Sequence, residues 1–300
     1  MEMRTLGQTG LQISRLGIGL AEIGYELTQA SEAQAAAVLN TALDGGINFL
    51  DTAACYGISE ELIGRTIADR RDEYVLATKA GHAVEEGEAD WTASTITRSI
   101  ERSLKRMKTD HVDLVQLHSC GVDVLERGEV IGALLDAKEA GKTRFVGYSG
   151  DNEAAEWAVE SGHFDTLQTS FNLVDQKALG GLFSKVEDQN MGLIIKRPIA
   201  NATWGAAESR SSYHNEYHRR AQRMAEFGPI PEAPEDRILL ALGFVVAHEA
   251  VDTAIVGTKN PDHVRKNIHW IEHALPISDK AVETLHRRFQ ELGQNWKQMG

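Results

Sequence analysis

Eight short runs rich in Val, Ile and Leu recur along the chain: LGIGL from residue 16, INFLDT from 47, YVLATK from 74, DLVQLH from 113, RFVGYS from 144, TLQTSF from 166, GLIIKR from 192 and TAIVGT from 253. Runs so nearly continuous in apolar residues predict strands covered on both faces, which is the condition of a parallel sheet. The stretches between them have helical spacing. From Ser31 to Leu43, residues Ala36, Val38, Leu39, Ala42 and Leu43 fall mainly along one side. Thr92 precedes Ile96, Ile100 and Leu104 at spacing four, and Gly45 and Gly141 stand where a helix should stop before the next strand. Eight β-then-α units close naturally into a (β/α)8 barrel, the α/β fold also called a TIM barrel.

Ahead of the first unit, MRTLGQTGLQIS reads as two short strands around Gly7 and Gly10, a β-hairpin capping the bottom of the barrel. The segment 201–236 is long and carries Trp204, Tyr213, Tyr217 and Phe227, so it is expected to be functional, to hold helices of its own, or to move. No internal repeat or linker divides the chain, and residues 1–300 are assigned to one domain.

In such barrels the working groups sit where strands pass into loops at the C-terminal face. There the second run ends in Asp51, with Tyr56 five residues on, the third in Lys79 and the fourth in His118. Each residue alone has an ordinary structural explanation, a cap or a partly buried ring. An acid, a phenol, an amine and an imidazole on three consecutive strand ends are much harder to assign to chance. A phenol is a poor proton donor near neutrality, and a neighbouring ammonium should stabilise the phenolate and lower its pKa. Lys79 can serve as that ammonium, Asp51 as its counter-ion, and His118 as a hydrogen-bond donor to a carbonyl oxygen. The set suits carbonyl reduction.

Composition narrows the field. A formal net charge of −13 argues against a nucleic-acid partner. Two cysteines, Cys55 and Cys120, are too few for a disulfide scaffold or a four-thiolate cluster. They flank Tyr56 and His118, where a cationic surrounding could activate a thiol, although inert packing is the expectation. The N-terminal stretch has Arg4 and Arg15 interrupting it, and no run reaches membrane-spanning length. No membrane association and a cytoplasmic location are therefore expected.

The runs ALDGGINFLDTAACYGISEELIG, LATKAG and SIERSLKRMKTDHVDLVQLH together resemble the aldo/keto reductase superfamily, along essentially the whole chain. The resemblance implies an NADP-dependent oxidoreductase that reduces aldehydes or ketones to alcohols, with Asp51, Tyr56, Lys79 and His118 as its tetrad. Tyr56 is then the general acid in reduction and the general base in oxidation. It implies further that hydride passes between a nicotinamide and the carbonyl carbon, with no metal.

Cofactor contacts carry over from the same resemblance. Ser149 and Gln168 match the partners of the nicotinamide carboxamide, while Gly150 stands where Asn is common and leaves that amide contact to Asp151 or Asn152. The run IIKRPIANATWG brings Lys196, Arg197, Pro198 and Ile199 to the position of a stacking aromatic and a pyrophosphate loop, with Lys196 where the ring is usual. The run IVGTKNPDHVRKNI resembles the adenosine-phosphate clamp, a strand leading to a helix N-terminus that favours an anion. Gly257, Thr258, Lys259, His263, Lys266 and Asn267 fall on it. His263 replaces an Arg that often binds the 2′-phosphate, yet Lys259 keeps NADPH the expected cofactor and NADH the alternative.

Two rivals are weighed against this reading. A metal-dependent barrel hydrolase would need clustered histidines, and the strand ends offer only His118. A nicotinamide-binding regulatory or accessory subunit with little turnover is compatible with an intact tetrad, but neither terminus carries an obvious docking extension. The substrate is expected to be a small-molecule carbonyl, namely an aldehyde, a ketone or a sugar-like compound, contacted by Tyr25, His82, Trp91 and the 201–236 segment.

Overall fold

The computed structural model describes residues 1–209 and 211–299, and the side chain of Tyr213 lies outside the described residues. Two antiparallel strands, β1 (Met3–Thr5) and β2 (Gln12–Ser14), form the expected hairpin around a 3-10 turn at Gly7–Thr9. Eight parallel strands close a barrel in the order β10-β3-β4-β5-β6-β7-β8-β9. They are β3 (Leu16–Gly19), β4 (Phe49–Asp51), β5 (Val75–Ala80), β6 (Val112–His118), β7 (Thr143–Ser149), β8 (Thr166–Ser170), β9 (Gly192–Lys196) and β10 (Thr253–Gly257). Each falls on one of the eight apolar runs.

The helices form as their patterns dictate. In the helix Glu32–Asp44 the buried residues are Ala35, Val38, Leu39, Ala42 and Leu43, a stripe at spacings of three and four. The innermost alanine is thus Ala35, not Ala36 as the sequence suggests, because the face is rotated by one position. Burying each Val or Leu on such a face contributes about 1.5–3 kcal/mol. Thr92 caps the helix Ala93–Met107 by accepting a hydrogen bond from the Thr95 backbone N–H.

Two layers of core result. One packs the outward faces of the strands against the helices, and includes Ile18, Leu50, Leu76, Val115 and Leu193. The other holds Phe49, Val75, Ala77, Leu114, Ile194 and Ile255 together with Leu6, Leu11 and Ile13 of the hairpin, so the hairpin plugs the bottom of the barrel. Gly7, at φ +46°, lies so close to the start of β9 that an added Cβ would meet the Gly192 nitrogen at 2.2 Å.

Because strand side chains alternate, the residue two positions beyond each inner apolar one points to the same side. Phe49, Ala77, Leu114 and Ile194 therefore lead to Asp51, Lys79, Gln116 and Lys196, and the barrel changes from apolar floor to polar mouth within one step of the pleat. The 201–236 segment does contain a helix, Asn215–Ala225, held down by buried Tyr217, Ala221 and Met224. No helix among the described residues is long and apolar enough to cross a membrane.

Candidate active site

Strand register gathers the candidate residues. Gly19 pairs beside Asp51, Lys79 beside Gln116, His118 beside Ser149, Ser149 beside Gln168, and Ser170 beside Lys196. Gly19, Asp51, His118, Ser149, Ser170 and Lys196 end their strands, and Lys79, Gln116 and Gln168 lie one or two residues short of the ends, so all face the C-terminal side of the barrel.

At its centre, the Lys79 ammonium donates to Asp51 Oδ2 at 2.5 Å and to the Thr52 carbonyl at 2.9 Å. Both side chains are buried. The second carboxylate oxygen of Asp51 accepts from Gln116 Nε2 at 3.2 Å and from Gln168 Nε2 at 2.8 Å. A buried ion pair is retained only when its remaining lone pairs are met in this way. Burial alone would discharge Lys79, but Asp51 and then Tyr56 outweigh it and hold the ammonium above its ordinary pKa.

Tyr56 lies over this pair, with Lys79 Nζ 5.0 Å from its ring centroid. Lys79 lowers the phenol's pKa, as the sequence reading has it, but a second influence acts against it. Burial is the largest influence and pushes the phenol upward. The charge and hydrogen bonding of Lys79 pull it back only in part, and Asp51 and Cys55 add to the rise. The phenol thus stays protonated at neutral pH, as a proton donor must.

His118 stands edge-on to Tyr56, with ring centroids 5.5 Å apart, and edge-on to His82 at 5.1 Å. Burial, followed by the positive charges of Lys79, His82, Lys196 and Arg197, holds its pKa well below the ordinary histidine value. A neutral imidazole results, which donates one hydrogen bond and does not carry charge.

The loop bearing Tyr56 is braced from several sides. Arg106 Nη1 donates to the Ala54 carbonyl at 3.1 Å and Tyr25 Oη to the Cys55 carbonyl at 3.0 Å. Gly24 presses so closely on the loop that a Cβ there would meet the Tyr56 carbonyl at 2.1 Å. Tyr25, 62% exposed, lies 5.7 Å from the Tyr56 ring, and Trp91 and His82 pack edge-on at 4.8 Å. Tyr25 therefore borders the cluster at Tyr56, and His82, with Trp91 behind it, at His118.

The residues expected to hold a cofactor divide into two groups. Near the centre, Ser149 Oγ donates to Gln168 Oε1 at 3.1 Å. The Lys196 ammonium pairs with buried Asp151 at 2.9 Å. Asp151 is further committed to Thr169 and Ser170, and Asn152 exchanges hydrogen bonds with Gln298, so neither is placed to supply the amide contact that Gly150 lacks. Arg197, at φ +57°, donates to the Met299 carbonyl and to Ser170 Oγ. Pro198 and Ile199 follow at the turn, the first buried and the second partly so.

Further round the rim, Gly257 ends β10 and Asn260 caps the helix Pro261–His273. Lys259 and Lys266 are exposed there, paired with Glu26 and, at 2.9 Å, with Asp236. His263 Nδ1 lies 3.1 Å from Thr258 Oγ1, and Thr258 and Asn267 are buried beneath.

Three participants escape the sequence reading. Gln116 is the second amide on Asp51, and its position two before His118 on one strand face is a signal that could have found it. The Asp151–Lys196 pair and the strap formed by Gln298 and Met299 have no local signal, because their partners lie far apart in sequence. Among the described residues no group of three or more His, Cys, Asp or Glu could hold a metal.

A closed parallel barrel with this strand-end cluster places the chain among the barrel oxidoreductases. The Aldo/keto reductase family profile matches residues 15–287. The chain is 30% identical to the uncharacterized oxidoreductase YqkF of Bacillus subtilis, with 95% of each chain covered. It is 27% identical to L-galactose dehydrogenase of Arabidopsis thaliana, over 89% of this chain and 87% of that protein. Among solved structures, the holo form of an aldo-keto reductase from Bacillus halodurans superposes with a TM-score of 0.80 at 25% identity, covering 96% of both chains. The chain belongs to the aldo/keto reductase family.

Proposed function

We propose that residues 1–300 act as one catalytic domain that reduces a small aldehyde, ketone or sugar-like carbonyl with NADPH, Tyr56 giving the proton. One observation carries this reading: Asp51, Lys79, Tyr56 and His118 converge at the barrel mouth, Lys79 on Asp51 and under the Tyr56 ring, with His118 edge-on to that ring. Lys79 orients Tyr56 and opposes its desolvation, so the phenol can yield its proton as negative charge develops on the substrate oxygen. His118 holds that oxygen by an N–H bond. Asp51 keeps Lys79 charged.

The donor set fits a dinucleotide. Lys259 and Lys266 flank a helix N-terminus, where phosphates are favoured, the first paired with exposed Glu26 and the second with part-buried Asp236. When bound, the reduced nicotinamide supplies the hydride. Ser149 and Gln168 would hold its carboxamide, and Gly257, Thr258, Lys259, His263, Lys266 and Asn267 the adenosine phosphates. Lys196, Arg197, Pro198 and Ile199 would form the wall between them. Tyr25, His82 and Trp91 suit the face of a sugar-like substrate, in keeping with the relative named for L-galactose.

The test is a screen of purified protein against aldehydes, ketones and sugars, following the absorbance of the reduced nicotinamide with NADPH and NADH in parallel. Turnover with at least one class, faster with NADPH, is expected. Tight nucleotide binding with no turnover on any of them would support an accessory role instead.

A further inference from the structure

The reading just given requires His118 to donate a hydrogen bond into the opening, and a neutral imidazole has a single N–H to give. Which nitrogen carries it depends on what meets the other one. Among the described residues, the hydrogen-bond partner found for the ring is Cys55, whose Sγ lies 3.4 Å from Nδ1. We infer that Cys55 is a positioning residue, its thiol donating to Nδ1 of His118 and so fixing the N–H on Nε2, toward the substrate.

The chemistry of the pair sets the direction of that bond. An imidazole nitrogen lone pair is a good acceptor, whereas a thiol sulfur is a poor one, so S–H to nitrogen is favoured over N–H to sulfur. Burial pushes the Cys55 thiol upward against the pull of Lys79, and the proton stays on sulfur. The geometry is held from outside the pair. The Tyr25 hydroxyl donates to the Cys55 carbonyl at 3.0 Å, the Ala54 N–H to the Lys79 carbonyl at 3.1 Å, and the Tyr56 N–H to the Ala53 carbonyl at 3.0 Å. Sulfur and imidazole come from residues 63 apart in sequence and meet because the loop after β4 is pinned to the Lys79 carbonyl of β5, the strand beside β6. No proton leaves the thiol during the reaction, since Tyr56 supplies the one transferred.

The inference rests on the proposed tetrad, but its first test does not depend on turnover. Nitrogen-15 NMR of histidine-labelled protein, with the His118 signals assigned by their loss in His118→Gln, reports the tautomer directly. A protonated Nε2 and an unprotonated Nδ1 are expected in the native protein; the reverse would overturn the inference even if the enzyme is active. The second test compares Cys55→Ala, Cys55→Ser and Cys55→Val. Serine keeps a donor and valine keeps the volume, so serine should hold kcat within about threefold of native. Alanine and valine should each lose about tenfold, the scale of one net hydrogen bond, with nucleotide affinity unchanged. Valine matching native while serine matches alanine would make Cys55 mere packing and overturn the assignment. Loss of turnover in native protein that shows the expected tautomer would refute the catalytic reading and leave the positioning intact.

Discussion

Replacing Lys79 with Met probes the buried pair at the centre of the site. The substitution keeps most of the stem's volume but leaves the Asp51 carboxylate without its ammonium, and removing one member of a buried pair typically costs about 3–5 kcal/mol. Asp51 retains two amide donors, from Gln116 and Gln168, so the lower end is expected. At roughly 2 °C per kcal/mol for a domain of this size, the midpoint should fall by about 6 °C. Adding Asp51→Asn removes the stranded charge and should recover most of the loss, because both halves of one interaction are then gone. Thermal melting and urea titration, both followed by tryptophan fluorescence, measure Lys79→Met, Asp51→Asn and the double variant. A single variant losing less than about 1 kcal/mol, or a double variant as unstable as the sum of the singles, would refute a strongly coupled pair. The sign with pH follows from the raised lysine pKa: the contribution is complete below the ordinary value of 10.5 and lost as pH climbs through the higher folded value. In the active enzyme the same substitution removes the main pull on the Tyr56 phenol, and the alkaline fall of reduction should move to higher pH.

Three further outcomes are expected. Gly24→Ala should lower turnover by at least tenfold and destabilise the protein by more than about 2 kcal/mol, since the new Cβ strikes the Tyr56 carbonyl; unchanged kinetics and melting would contradict the close approach. Lys259→Met should weaken NADPH binding by roughly tenfold more than NADH binding, measured by fluorescence titration, and equal losses would place the 2′-phosphate elsewhere. Burial disfavours the charged Asp113 carboxyl, but the Leu76 N–H, Arg71 and Arg144 outweigh it and hold its pKa below the ordinary value of 3.8. That stability is present above 3.8 and lost as pH falls through the folded value, so Asp113→Asn should flatten the acid limb of a denaturation profile.

The barrel was legible because its signals are local. Strands buried on both faces are nearly continuous apolar runs, and β6 and β9 announce themselves as LVQL and LII. Gly7 and Gly10 marked the hairpin for the same reason, as both adopt positive φ. Asp51, Lys79 and His118 could be picked out because strand ends are where polar side chains interrupt such runs. What sequence left open is set by distance in the chain and by burial. Lys196 stands in the sequence at the place of a stacking ring, and its pairing with Asp151, 45 residues away, has no local signal. Arg197 and Gln298 join across 102 and 128 residues respectively, to Met299 and Ser170. The pull of Lys79 on the phenol is visible in a motif, whereas the burial that outweighs it is not.

Tyr56→Phe tests the central claim most directly. It keeps the ring over Lys79 and beside His118 but removes the only hydroxyl proton proposed to reach the substrate. NADPH binding, read by quenching of tryptophan fluorescence, should stay within about threefold of native, and kcat for carbonyl reduction should fall by roughly 10²–10⁴. A variant that binds NADPH and reduces its substrate at near-native kcat would show that the proton comes from elsewhere.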